Sequence, residues 1–221
     1  MTSPHEILAR TELFVRQRMH GDGSGHDWWH VDRVRRTALR LASEEGADPY
    51  VVELAALLHD VWDHKLHAGD DSVAPREIRR WLQEAGAEEP VVEHVCEIVA
   101  GLSFKGAGVA TPMRTPEGAV VQDADRLDAI GAVGIARAFA FGGSRGRPLH
   151  DPETEPEPHA TFDAYRAGTG GTTHHFHEKL FLLRDRMNTA AARRLAEGRH
   201  RFMEEFLRRF HDEWNGEDAW S

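Results

Sequence analysis

Asp48-Pro49-Tyr50-Val51-Val52-Glu53-Leu54-Ala55-Ala56-Leu57-Leu58-His59-Asp60 decides how this 221-residue chain is read. Asp48 suits a helix N-cap. Pro49 suits the first helical position, where its missing N–H has no partner to lose and its φ is already helical. The run that follows is apolar nearly all round, so the helix is expected in the centre of a core. It ends on His59-Asp60. An ionisable pair at the end of a buried helix is costly unless something satisfies it. Two readings stand: a capping aspartate beside a hydrogen-bonded core histidine, or two ligands of a metal ion.

Outward from this helix the chain reads as helical almost throughout. Ser3-Pro4 opens a first helix with Ile7, Leu8, Phe14 and Val15 as core positions, and Gly21-Asp22-Gly23-Ser24-Gly25 breaks it. A second runs from about His26 to Glu45, with Val31, Val34, Ala38, Leu41 and Ala42 on one face, and Gly46 ends it. Pro75 is expected to start a fourth, carrying Ile78, Trp81 and Leu82, and Pro90 a fifth, through Val91, Val92, Val95, Ile98 and Val99. A sixth starts near Pro116, carries Val120, Val121, Ala124 and Leu127, and bends at Gly131 or Gly134 before reaching Phe141. Two C-terminal helices follow, with the stripes Phe176, Leu180, Leu183, Met187 and Leu195, Phe202, Phe206, Phe210, Trp214. Residues 63–74 and 103–116 read as loops. The stretch 142–171, rich in Gly, Pro, Glu and Arg, is long for a loop and reads as a flexible segment or lid. No alternation of strand period occurs. The expectation is an all-α bundle forming a single domain over 1–221, with a metal-binding core at about 20–140 and C-terminal helices at about 172–215.

Composition narrows the partners. Apolar residues make up 40%, enough for a sizeable core, and the net charge is −10. So acidic a chain repels nucleic-acid phosphates, and Arg33, Arg35, Arg36 and Arg40 are explained as the solvated face of the second helix. A small anionic substrate remains compatible if a metal ion supplies local positive charge. Cys96 is the one cysteine, so no internal disulfide forms, as suits a reducing cytosol. No apolar run approaches the roughly 20 residues that span a membrane, and Met1 to Glu6 lacks a signal pattern. A cytoplasmic protein without a membrane partner is expected.

The second helix places His30 one turn before Val34, on the same inward face. It reads as a structural histidine, as a ligand, or as half of a His26/His30 pair. Asp123, Asp125 and Asp128 fall within six residues on an otherwise apolar helix, with Asp125 and Asp128 on one face; a charged solvated face is the alternative. Two imidazoles and two carboxylates suit a divalent ion such as Mn²⁺, Fe²⁺, Co²⁺, Ni²⁺ or Zn²⁺ with positions left open. The absence of thiolates disfavours a purely structural zinc site.

In order, His26-Asp27-Trp28-Trp29-His30-Val31-Asp32-Arg33-Val34, then Leu57-Leu58-His59-Asp60-Val61, then Asp123-Ala124-Asp125-Arg126-Leu127-Asp128, the chain resembles the HD superfamily of metal-dependent phosphohydrolases. The stretches Leu102-Ser103-Phe104-Lys105-Gly106, His175-Phe176-His177-Glu178-Lys179-Leu180 and Met203-Glu204-Glu205-Phe206-Leu207 look like one bacterial subfamily of small HD hydrolases. The resemblance implies one divalent transition ion on His30, His59, Asp60 and Asp125, with Mg²⁺ able to accompany the substrate. It implies hydrolysis of a phosphate ester or phosphoanhydride, most readily in a nucleotide, as a nucleotidase or a triphosphate pyrophosphohydrolase.

Asp63 would then orient water or act as general base. Lys65, Lys105, Arg126 and His94 are the candidate substrate contacts, and Trp28, Trp62 or Phe104 would either stack on a base or sit in the core. Two other classes compete. An HD-fold diiron oxygenase needs further histidines, and none occurs between His94 and His150. A non-catalytic nucleotide-sensing HD domain would not need the full ligand set. The aromatic C-terminal stripe would pack in the core or bury itself in a homodimer.

Overall fold

A computed structural model describes residues 2–19, 27–62, 73–102, 111–156 and 170–218. The fold is all-α, and no strand occurs among the described residues. The helices are α1 (Pro4–Arg18), α2 (Trp28–Glu45), α3 (Pro49–Leu58), α4 (Val73–Ala85), α5 (Glu89–Leu102), α6 (Pro116–Asp128), α7 (Gly131–Ser144) and α8 (Ala190–Asn215), with a π-helical turn (Phe176–Leu180) and a 3₁₀ turn (Phe181–Arg186) before α8. None of them is long and apolar enough to cross a membrane. The chain forms two compact units. One comprises the described residues of Met1–Lys105 and Ala110–Asp125, the other those of Arg126–Ser221.

In the first unit α3 is the central helix, packed by α1, α2 and α5. Leu54, Ala55, Ala56, Leu57 and Leu58 are wholly buried. Each of the leucines contributes about 1.5–3 kcal/mol of burial. The helix starts where its cap lies: Asp48 Oδ1 accepts from the Tyr50 N–H at 2.8 Å. The Asp48 N–H in turn donates to Glu117 Oε1 of α6 at 2.9 Å. The Gln122 amide ties α6 down further, donating to the Gly101 and Thr111 carbonyls at 3.2 and 3.1 Å. Before α2, Asp27 is the cap, its Oδ1 accepting from the His30 N–H at 3.0 Å, so the helix begins at Trp28, two residues later than expected. Helix α4 begins at Val73, two residues before Pro75, which falls in the first turn where an N–H is not needed. Cys96 on α5 is buried, its thiol donating to the Pro75 carbonyl at 3.4 Å. Burial pushes that thiol up from its ordinary pKa.

In the second unit the expected bend after α6 is a full break. Ile130 is extended and Gly131 takes φ 78°, a left-handed conformation that favours glycine. A Cβ on Gly131 would also lie 2.9 Å from the Arg199 side chain. Of the flexible segment expected at 142–171, residues 142–144 belong to α7 and 157–169 lie outside the described residues. The described flanks are pinned to one another: the Thr172 and Thr173 N–H groups donate to the Pro148 and Leu149 carbonyls at 2.9 and 3.1 Å.

Phe176, Leu180, Leu183 and Met187 are buried as a stripe, but on a π turn followed by a 3₁₀ turn and not on one α-helix. On α8 the expected stripe is corrected. Ala192, Ala196, Met203 and Leu207 face inward, whereas Phe202 and Trp214 are about half exposed, at 50% and 48%. Phe206 and Phe210 pack around Phe139, with centroids 6.0 Å away in both cases.

Candidate metal centre

Three local devices aim four side chains at one point in the first unit. The Asp27 cap starts α2 so that His30 occupies its third position, inward and 1% exposed. The central helix α3 ends at Leu58, leaving His59 as its C-cap and Asp60 just beyond. The Asp48–Glu117 and Gln122 hydrogen bonds fix α6, which carries Asp125. The His30 and His59 Nε2 atoms are 3.2 Å apart. Asp60 Oδ2 lies 3.2 Å from His30 Nε2 and 3.6 Å from His59 Nε2. Asp125 Oδ1 lies 3.6 and 4.0 Å from the same two nitrogens. Ligand atoms held at zinc–nitrogen distances around a tetrahedral ion are about 3.3 Å apart, so the spacing fits an ion at the centre. His30, His59 and Asp60 form a group able to hold a metal, and Asp125 stands slightly farther out.

His59 is prepared for such a role. Its Nδ1 lies 2.8 Å from the Ala56 carbonyl. Nδ1–H donating there leaves the Nε2 lone pair directed at the cluster, the tautomer a metal ligand needs. The imidazole side is closed, with both side chains at most 3% exposed, while Asp60 and Asp125 are 15% and 35% exposed. Solvent therefore reaches the cluster from the carboxylate side. Two imidazoles with two carboxylates form the mixed nitrogen and oxygen set that divalent transition ions accept.

The other residues singled out in the sequence have different surroundings. Asp128 pairs with Arg137 at 2.9 Å in the second unit, and Asp123 is wholly buried. Arg126 is buried and donates to the Arg186 carbonyl. His94 is half-buried, its Nε2 2.9 Å from Thr115 Oγ1 and 3.7 Å from Glu117 Oε2 at the start of α6. Trp28 and Trp62 are buried, each under a guanidinium: Arg16 over Trp28 and Arg18 over Trp62, both at 5.7 Å. Trp29, beside His30, is instead 57% exposed, which two adjacent tryptophans gave no means of telling. Asp63, Lys65, Lys105, His26 and Phe104 lie outside the described residues.

The HD domain family model matches residues 28–130, the interval that holds His30, His59, Asp60 and Asp125. The uncharacterized protein YpgQ of Bacillus subtilis (strain 168) is 41% identical over 209 residues, 93% of each chain. This chain belongs to the HD domain family. An HD-superfamily hydrolase from Bacillus thuringiensis is 41% identical in its crystal structure, with a TM-score of 0.75 over 96% of this chain and 99% of that one. A crystal structure from Lactobacillus plantarum gives a TM-score of 0.84 at 38% identity, covering 95% of this chain and 97% of that one. YpgQ has itself been crystallised in complex with ADP; that structure gives a TM-score of 0.74 at 37% identity, over 96% of this chain and 100% of that one. The fold is thus that of the HD-superfamily hydrolases.

Proposed function

We propose that this HD-family protein is a metal-dependent phosphohydrolase of nucleotides, with His30, His59, Asp60 and Asp125 holding one divalent transition ion. The observation that carries the reading is that His30 and His59 bring their Nε2 atoms to 3.2 Å and that Asp60 and Asp125 each lie within 4.0 Å of both nitrogens. When bound, the ion supplies a water of lowered pKa and a Lewis acid for a phosphoryl oxygen. The chain does the rest. The Ala56 carbonyl holds His59 in the tautomer that presents Nε2. Asp60 and Asp125 bring negative charge that offsets a dication and leave the solvent side open to substrate. Asp63, three residues beyond Asp60, orients the attacking water or takes its proton. Lys65 and Lys105 meet the substrate phosphates. The two units act as a single domain.

The complex of ADP with YpgQ supports a nucleotide as substrate. The test is to load metal-stripped protein with Mn²⁺, offer nucleoside mono-, di- and triphosphates beside an Asp60→Ala variant, and assay phosphate and pyrophosphate separately. Metal-dependent product that disappears in the variant is the expected result, and the product ratio separates a nucleotidase from a pyrophosphohydrolase. One bound ion per chain with no product from any nucleotide would sink the substrate class. Two ions per chain would favour a diiron oxygenase.

A further inference from the structure

A second recess lies in the first unit, along α1 and α4. It is a groove of about 470 Å³, within the range of small-molecule sites. Its walls and floor include Phe14, Arg18, Trp62, Arg76, Arg80 and Trp81. Phe14 stacks on Trp81 with centroids 4.0 Å apart and planes 19° from parallel, and lies 5.6 Å from Trp62. Trp81 keeps its place through Nε1–H, which donates to Thr11 Oγ1 at 3.1 Å. The groove therefore offers fused aromatic surface, the kind on which a planar base stacks.

Its charge is of the opposite sign to the chain as a whole. Arg80 is neutralised by Glu77 at 2.6 Å and approached by Glu84 at 4.0 Å. Arg76 shares Glu77 at 3.3 Å. Arg18 is exposed, lies over the Trp62 ring, and has no carboxylate partner among the described residues. Three guanidiniums thus face two carboxylates in a protein of net charge −10. An unpaired planar guanidinium beside aromatic rings is suited to a phosphate on a ligand that also carries a ring system. Position adds to this. Trp62 follows Asp60 by two residues, and two residues reach no more than about 7 Å along the chain.

We infer that this groove is the nucleoside end of the substrate site: it takes the base of a nucleoside di- or triphosphate against Phe14 and Trp81, while Arg18, over the buried Trp62 ring, holds the phosphate chain that leads to the metal centre. The inference rests on the nucleotide reading above and locates the part of the substrate that does not react.

The test reads binding without turnover. Full-length Mn²⁺-loaded protein is titrated calorimetrically with α,β-methylene-ADP, a diphosphate whose bridge is not hydrolysed. Arg18→Ala is expected to weaken binding about tenfold, the order of one charge-assisted hydrogen bond. Arg18→Lys recovers part of the loss, because it restores the charge but not the planar stacking. Arg40→Ala, an exposed α2 arginine paired with Glu44, leaves the affinity unchanged. Circular dichroism confirms that the variants remain folded, as expected for solvated positions. Equal affinity in wild type and Arg18→Ala overturns the inference, and so does failure of the wild type to bind the analogue at millimolar concentration. The two readings fail separately. Protein that binds the analogue through Arg18 but hydrolyses no nucleotide sinks the proposed activity; protein that hydrolyses nucleotides with an affinity indifferent to Arg18 sinks the groove.

Discussion

Histidines gather in both units, and the two gatherings differ in what surrounds them. In the first, His30 and His59 bring their Nε2 atoms to 3.2 Å, with Asp60 and Asp125 beside them. In the second, His150 lies 5.1 Å from His211 and 6.3 Å from His174, ring to ring, and His177 and His200 pack at 5.2 and 5.1 Å from Phe181. Here Glu204 reaches His200 at 3.3 Å but is itself largely exposed. Burial pushes the His150 and His177 pKa values down, with neighbouring histidines adding to the effect. Burial lowers His175 to about 3, helped by Lys179 and Arg147. Crowded imidazoles alone do not assemble an ion site. They pack as aromatic rings, and among the described residues the group able to hold a metal is the one at His30, His59 and Asp60.

The sharpest way to break this contrast is to remove the carboxylates. Asp60→Ala should weaken Mn²⁺ binding by more than about a hundredfold, since even partners behind the ligands cost 10–100-fold. His177→Ala and His211→Ala should leave one ion per chain by calorimetry. A lost ion in either histidine variant would erase the distinction. Next in size is Arg199, whose guanidinium donates to the Leu127 carbonyl at the end of α6. Arg199→Ala removes one of that carbonyl's two donors, the Ile130 N–H remaining at 3.2 Å, and should cost about 1.5–3 kcal/mol in denaturant unfolding, the range of a hydrogen bond to a charged group, while the metal content stays at one ion per chain.

Acid should separate the gatherings further. The unfolded chain protonates His175 near its ordinary 6.5, the folded chain only near 3. Stability from this residue is therefore complete above about 6.5 and falls as the pH drops toward 3. The residue keeps some solvent contact, so the slope is at most about 1.4 kcal/mol per pH unit. Wild type should lose up to that much between pH 6.5 and 5.5, and His175→Gln should lose measurably less. The smallest effect belongs to His200. Its Nδ1 is buried without a hydrogen-bond partner, so His200→Leu removes an unsatisfied group along with a ring contact to Phe181 and a solvent-screened pair with Glu204. A change in unfolding free energy below about 1 kcal/mol is expected.

The first unit was the more readable in sequence because its signals are local. Asp48-Pro49, the apolar run and His59-Asp60 sit within one helix, and each acts through its neighbours. Asp125 was less so: residue pattern alone left Asp123, Asp125 and Asp128 open, and the resemblance to HD proteins singled out Asp125. The partner of Asp128 is Arg137, on the next helix, which spacing does not reveal. The second unit was harder for physical reasons. The break at Gly131 lies in a left-handed φ of 78°, which a glycine permits but its place in the sequence does not announce. A π turn running into a 3₁₀ turn shifts the hydrophobic period by fractions of a residue, which Phe176, Leu180, Leu183 and Met187 tolerate without changing face. On α8 the aromatic stripe was expected to pack in the core or bury itself in a homodimer. Burial instead followed the small residues Ala192 and Ala196, with Met203 and Leu207 completing their face.

The seclusion of Cys96 makes the chain its own stopwatch. One thiol, walled in on α5 and reluctant to ionise, reacts with an alkylating reagent only when the helices of the first unit part. With no second cysteine to blur the signal, the labelling rate times that opening directly. Slower labelling on adding Mn²⁺ would register how firmly an ion clasps the unit shut.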